Sequence, residues 1–212
     1  MKPAILALVL SVPICAATPK LIFTKSFPGS VPDYVRVDID RSGALQYKES
    51  PKDDQPLSTH LEKSDTDALF SLAEKLDYFK SPLESGLKVA NTGKKTFRYE
   101  NEDGNPTEVS FNYSINLTAQ QLLDRFEQIA ATERAYLDLD RTMRYDKLGV
   151  NDALAYIESL WLQKQLAAPR QFVPLLTRIT THESFMHLVR ERAARLKDEF
   201  QGAPAAPSEQ KP

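Results

Sequence analysis

Cysteine is almost absent from this chain. The single cysteine among 212 residues is Cys15, close to the N-terminus. Residues 1–17 begin with a positive charge, continue as a short apolar run and end in small residues at Cys15-Ala16-Ala17, which is the pattern of a secretory signal peptide. Cleavage after Ala17 would leave a mature chain without disulfides, thiol nucleophiles or cysteine-bound metals.

The same segment predicts where the protein goes. We expect an exported protein, periplasmic or extracellular, with no stable membrane span once the signal is removed. One alternative is a lipid anchor on Cys15, although lipoprotein signals have a small residue before that cysteine and here it is Ile14. A second alternative is that the segment is retained as an anchor.

Neither sign of charge is in excess. The whole chain has 27 basic and 29 acidic residues, and removing residues 1–17 takes away only Lys2, leaving 26 against 29 and a net charge of −3. A nucleic-acid-binding surface needs clustered positive charge, so we expect no nucleic-acid partner. No cofactor-binding motif is present either, and we predict no cofactor.

Histidine is scarce too, and two of the three histidines lie in the string His182-Glu183-Ser184-Phe185-Met186-His187. It is one residue longer than the HExxH of zinc proteases. Five residues apart on a helix, the two histidines would point about 140° away from each other. We therefore predict no metal site. Thr180 and Glu183 instead have the spacing of a capping box, which predicts a last helix over residues 181–200.

Other catalytic patterns are missing or weak. No serine lies in a G-x-S-x-G elbow, and Gly93-Lys94-Lys95 lacks the rest of a phosphate-binding loop. Asp38 and Asp40 would share one face of a strand beside Arg36, which leaves open a site with paired carboxylates. A solvated sheet face is the far more common explanation for such acids, and we predict no catalytic residues.

Apolar periodicity predicts an α+β protein, with an antiparallel sheet of two strand-strand-helix units followed by a C-terminal helical bundle. Alternating residues predict a hairpin over 34–49 and strands near 57–61, 87–90, 96–100 and 109–113. Helical spacing predicts helices from Ser64 to Phe79, from Thr118 to about Tyr145, from Asn151 to Ala168, over 171–180 with Pro174 in its first turn, and over 181–200.

These patterns divide the chain into four parts. Residues 1–17 are the signal peptide, 18–117 the α+β sheet region and 118–201 a helical region packed on or beside it. Residues 202–212, rich in proline and alanine, are expected to form a disordered tail.

One loop differs in kind from the others. Two prolines and a glycine restrict the segment Ser26-Phe27-Pro28-Gly29-Ser30-Val31-Pro32, which we call the lip. The segment either covers a sheet edge or forms part of a binding surface. On the second interpretation Phe27, Pro28, Gly29 and Val31 are the candidate binding residues, with Phe27 the first to mutate.

Several runs carry a resemblance to known proteins: Tyr47, Phe79, Gly93-Lys94-Lys95-Thr96-Phe97-Arg98 and Tyr145-Asp146-Lys147-Leu148-Gly149-Val150-Asn151. With the order of strands and helices, they resemble a group of uncharacterised exported bacterial proteins, which implies no activity or site residues. The layout is also similar to small envelope modules that bind other proteins, including tandem-repeat enzyme inhibitors.

These observations favour an exported, non-enzymatic binding or scaffold protein of a bacterial envelope, whose partner is another envelope protein. Two alternatives stay open. One is a carboxylate-based envelope hydrolase. The other is an inhibitor or chaperone-like partner of one envelope protein.

Overall fold

The computed structural model describes residues 18–103 and 105–202. The predicted signal peptide and residues 203–212 of the predicted tail lie outside the described residues. Gly202, which the sequence placed in the tail, is instead the last residue of the final helix.

Within the described residues, six antiparallel strands and five α-helices confirm the predicted α+β class with a C-terminal helical region. The strands are β1 (Lys20–Ser26), β2 (Tyr34–Asp40), β3 (Ala44–Lys48), β4 (Leu57–His60), β5 (Lys94–Glu100) and β6 (Pro106–Phe111). The helices are α1 (Lys63–Lys75), α2 (Leu117–Tyr145), α3 (Val150–Leu162), α4 (Val173–Thr181) and α5 (His187–Gly202). Short 3-10 turns occur at Asp77–Phe79 and Pro169–Phe172.

The sheet has the order β4-β3-β2-β1-β5-β6, so the first strand is central. Strand β1 pairs on one side with β2 and on the other with β5, and thereby joins the two strand-helix units. The sequence patterns did not predict β1. The strand they predicted at 87–90 is wrong, because the structure has no strand there.

The two faces of the sheet differ in chemistry. One face is buried against α1 and the first half of α2, and its fully buried residues are Leu21, Phe23, Val37, Ile39, Leu45, Tyr47, Phe97 and Phe111. The opposite face carries polar side chains such as Thr24, Arg36 and Arg98, which remain partly exposed. The helices therefore lie on one face, as alternation along the strands predicted.

Helix α2 belongs to two cores. Its first half, with Leu122 and Phe126, packs on the sheet, and its second half, with Ala135 and Leu139, packs against α3, α4 and α5. The predicted end of this helix at Tyr145 is confirmed. Because one continuous helix enters both cores, the helical region is fixed to the sheet region along its length.

Helices α1, α2 and α3 each begin one residue before the predicted start. Asn116, not Thr118, caps α2, since its side chain accepts hydrogen bonds from the backbone of Thr118 and Ala119. Helix α1 follows Glu62 with no side-chain cap, and the Ser64 hydroxyl has no hydrogen-bond partner. Helix α3 begins at Val150, after Gly149, and not at Asn151. The Asn151 side chain does not cap the helix and instead accepts a hydrogen bond from Arg192.

Candidate interaction site

The lip connects β1 to β2 and is held by its own hydrogen bonds. The backbone N–H of Phe27 donates to the carbonyl of Asp33 (2.9 Å), and that of Ser30 donates to the carbonyl of Phe27 (3.0 Å). The Ser30 hydroxyl lies 2.7 Å from the Phe27 carbonyl and 2.6 Å from that of Pro32. These contacts fix the loop before any partner binds.

A second element, α2, holds the tip of the lip. The guanidinium of Arg134 donates a hydrogen bond to the carbonyl of Val31. Both strands that flank the lip are interior to the sheet. The interpretation of the lip as an edge cover is therefore wrong, and the binding interpretation remains a prediction.

The structure changes which lip residue projects. Phe27 is half-buried and lies on Gly93, where an added Cβ would come within 2.8 Å of the Phe27 Cβ. Pro28 and Gly29 are exposed, and Val31 is 81% exposed. Phe27 therefore lies at the base of the lip, and Val31 is its most exposed apolar side chain.

Residues 84–92, which include the wrongly predicted strand, run beside the end of β6. The N–H of Ser85 donates to the carbonyl of Tyr113 (2.8 Å). The side chain of Asn112 accepts from the N–H of Thr92 (2.9 Å) and donates to the carbonyl of Ala90 (3.0 Å). The Asn112 side chain therefore holds residues 90–92 beside β6 without the backbone hydrogen bonds of a paired strand.

Large apolar side chains project from residues 84–92 and from the segment 113–117 that follows β6. Leu87, Val89, Tyr113, Ile115 and Leu117 are all at least 40% exposed. Together with Val31 we call them the apolar rim. They belong to one end of the sheet, where Ser26 pairs with Lys94 and Phe111 pairs with Lys95. The segments 87–89 and 113–117 adjoin through the bonds of Ser85 to Tyr113 and of Asn112 to Ala90, and exposed apolar residues on adjoining segments mark contact surfaces more often than isolated ones do.

A buried lysine braces the rim. Lys95 is only 4% exposed, and its ammonium donates to the carbonyl of Asn112 (2.8 Å) and to the hydroxyl of Thr92. Burial lowers the pKa of Lys95, and the neighbouring charge of Lys25 lowers it further. Lys95 therefore joins Thr92 to Asn112, which fixes the spacing between the rim segments 87–89 and 113–117.

The open sheet face does not form a paired-carboxylate site. Asp38 is held by Arg36 through two hydrogen bonds of 2.6 and 2.8 Å. Asp40 accepts from the Ser42 hydroxyl and from the N–H groups of Ser42 and Ala44 in the following turn. Burial acts to raise the pKa of Asp40, but these hydrogen bonds outweigh it and lower the pKa. Each carboxylate is therefore engaged separately.

The same face has a hollow of about 240 Å³, whose lining includes Ile22, Arg36 and Arg98. Its two carboxylates, Glu100 and Glu108, both lie against Arg98, at 2.8 and 3.5 Å. Both carboxylates are therefore paired with the same arginine. Nothing in this hollow favours the hydrolase interpretation over a polar contact surface.

The His182–His187 string connects two helices. Helix α4 ends at Thr181 and α5 begins at His187. The predicted last helix is therefore present, but it starts six residues later than predicted, and the capping box is wrong. The Thr180 hydroxyl donates back to the carbonyl of Thr177 (2.8 Å) inside α4. Phe185 is buried. His182 lies 2.8 Å from the Ser184 hydroxyl, and His187 lies 3.5 Å from Glu191.

Replacing His182 and His187 together by alanine is expected to leave metal content at background and to change stability by about 0.5 kcal/mol or less, because both side chains are exposed. Elemental analysis and urea unfolding would check this. Across residues 18–103 and 105–202, no group of three potential metal ligands is found. Stoichiometric zinc in the wild type, lost in the double variant, would contradict the prediction.

Comparison with models of known protein families gives no match, and comparison with curated proteins gives none either. Within the described part of the chain, every helix is too short or too polar to cross a membrane.

Proposed function

We propose that this protein is an exported, non-enzymatic binding or scaffold protein of a bacterial envelope, and that the apolar rim is its contact surface. The observation that carries the proposal is the lip, whose backbone is fixed by hydrogen bonds while Val31 stays 81% exposed. A loop ordered in advance loses little conformational entropy when it binds, so a larger share of its contact energy appears as affinity.

The partner we propose is another envelope protein with an apolar pocket or groove. The rim draws its side chains from the lip, residues 87–89 and residues 113–117, and internal hydrogen bonds hold all three. Such a surface has a defined shape, and shape complementarity around an apolar centre is characteristic of protein interfaces. An inhibitor or chaperone-like partner of one envelope protein is a second candidate that would use the same rim.

Site-specific crosslinking in the native envelope tests this proposal. A photo-crosslinking residue is placed at Val31 of the full chain and, as a matched control, at Leu162, which is 74% exposed on α3. We expect a discrete adduct from position 31 and none of that size from position 162. Adducts of the same pattern from both positions, or none from position 31, would refute the proposal.

A second variant separates specific binding from nonspecific capture. Ile115→Asp, made in the chain that carries the crosslinker at 31, is expected to reduce the adduct at least tenfold, since an interface centre residue contributes roughly 1–2 kcal/mol or more. Leu162→Asp introduces the same charge elsewhere and should leave the adduct unchanged. Circular dichroism verifies that both variants remain folded.

A further inference from the structure

Helix α2 carries a carboxyl group buried between the two cores. Glu133 is 0% exposed. One carboxyl oxygen accepts a hydrogen bond from the side-chain amide of Gln171 (3.1 Å), and the other has no partner. The amide oxygen of Gln171 accepts in turn from the hydroxyl of Thr59 (2.9 Å) on β4. A chain of side chains thus runs from the sheet edge to α2.

Residues 163–172 form the middle of this connection, and α2 holds them at two further points. The Thr132 hydroxyl accepts from the N–H of Ala167 (2.9 Å), and the Gln128 amide donates to the carbonyl of Lys164 (3.0 Å). Ala168 contributes to the sheet core and Phe172 to the helical core. We call residues 163–172 the joint, because they touch both cores.

Among residues 18–103 and 105–202, no ion pair to Glu133 is found, and besides Gln171 its polar neighbours are tyrosines. Strand β3 presents Tyr47, whose hydroxyl bonds to Glu49 (3.0 Å), and α2 presents Tyr136. The adjacent Arg134 is directed to the lip and to Asp138.

The charged side chains of the joint are Lys164, which is exposed, and Arg170, whose guanidinium lies 3.6 Å from Glu62, ahead of α1. Strand β4 contributes the uncharged Thr59. Among the described residues Glu133 has no ion-pair partner within 4 Å, so ionisation would place an uncompensated charge inside the protein.

We propose that Glu133 is a pH-sensitive fastener of the joint: protonated, it lets residues 163–172 dock between the cores, and ionised, it loosens them. The inference does not depend on the proposed binding function. It rests on the burial of the carboxyl, its unpartnered oxygen and its place in the only described chain of side-chain hydrogen bonds from β4 through Gln171 to α2.

The direction of the pH effect follows from the acid's two environments. Burial raises the pKa of Glu133 to about 7 in the docked state, opposed by the hydrogen bond from Gln171, while in the open state the carboxyl has its ordinary value of 4.5. Docking is therefore tightest below the open-state pKa and weakens as pH rises from there to the docked-state pKa. Between about pH 5.5 and 8.5 the opening equilibrium should rise roughly 30-fold.

Hydrogen exchange of the full chain tests the proposal. Mass spectrometry of peptides covering 163–172, corrected for intrinsic rates, is compared at both pH values for the wild type, Glu133→Gln and Asp124→Asn. Glu133→Gln keeps the acceptor for Gln171 and removes the charge, so its protection should not change with pH. Asp124→Asn removes an exposed charge from the same helix and should behave as the wild type does.

Two results would overturn the inference. One is a pH change in the joint that is absent from the wild type, or equal in the wild type and Glu133→Gln. The other comes from a measurement that needs no variant to fold: carbon NMR titration of the glutamate carboxyls in the wild type. We expect one glutamate to titrate above pH 6; titration of every glutamate below pH 5 would refute the proposal.

Discussion

Phe97→Ala is expected to lower the free energy of unfolding by about 3–5 kcal/mol, the range for deleting a buried aromatic ring. Phe97 is 0% exposed on β5. Its ring centroid lies 5.9 Å from that of Phe23, 5.3 Å from Phe79, 5.2 Å from Phe111 and 6.0 Å from Phe126. These neighbours belong to three parts of the fold: the sheet, helix α2, and the turn that follows α1. The cavity therefore cannot close by a shift of one element.

Urea unfolding followed by circular dichroism measures this change, with two comparisons. Tyr145→Ala removes an aromatic ring that is 83% exposed and should cost about 0.5 kcal/mol or less. Phe172→Ala opens a cavity in the helical core, where the Phe172 ring lies 5.7 Å from Tyr136 and 6.0 Å from Phe200. Since α2 enters both cores, Phe97→Ala and Phe172→Ala should shift one common transition. Two separate transitions would contradict this.

Strands with one buried face were predictable from sequence, and the central strand was not. Val35, Val37 and Ile39 alternate with polar residues, and this alternation predicts the strand β2. In β1 the consecutive residues Leu21, Ile22 and Phe23 are all buried. Ile22 faces the open side and is 4% exposed there, with Arg36 and Arg98 lining the same hollow. A short apolar run of this kind fits a strand or a helix equally, so periodicity alone does not detect it.

The helix boundaries depended on contacts that sequence spacing does not contain. Thr177, Thr180 and Thr181 all bond their hydroxyls to carbonyls of α4, which competes with regular helix continuation. The chain then turns at His182, whose backbone is extended. This turn lets Ile179 of α4 and Val189 of α5 enter the same core, and that requirement overrides the capping-box pattern.

Half of the candidate site was predictable. The prolines and glycine of the lip restrict its backbone locally, so the sequence identified the loop. The other half of the rim depends on Asn112 reaching Thr92 and Ala90, a contact across about twenty residues that no local pattern encodes. Glu133 was missed for the same reason, since its burial depends on residues 163–172 docking on α2.

Gly43→Ala is expected to cost about 2–4 kcal/mol, the sum of backbone strain and a steric clash. Gly43 has φ of +94°, which side chains with a Cβ rarely adopt, and an added Cβ would lie 2.6 Å from the carbonyl oxygen of Leu61. The backbone cannot simply move away, because the N–H of Leu61 donates to the Gly43 carbonyl (2.9 Å) and Leu61 is 0% exposed. We therefore expect the substitution to separate β4 from β3.

Gly29→Ala is the matched control, because it introduces the backbone strain without the steric clash. Gly29 has nearly the same φ, +90°, but nothing lies within 4 Å of an added Cβ. Its substitution should cost only the strain, about 1–2 kcal/mol, and the difference between the two variants in urea unfolding then measures the clash at Leu61. Equal losses of unfolding free energy in the two variants would mean that β4 moves away from the added Cβ at no energetic cost. The clash in Gly43→Ala would in that case be relieved at the sheet edge, where Thr59 also starts the hydrogen-bond chain to Glu133, and hydrogen exchange in residues 163–172 should rise with it.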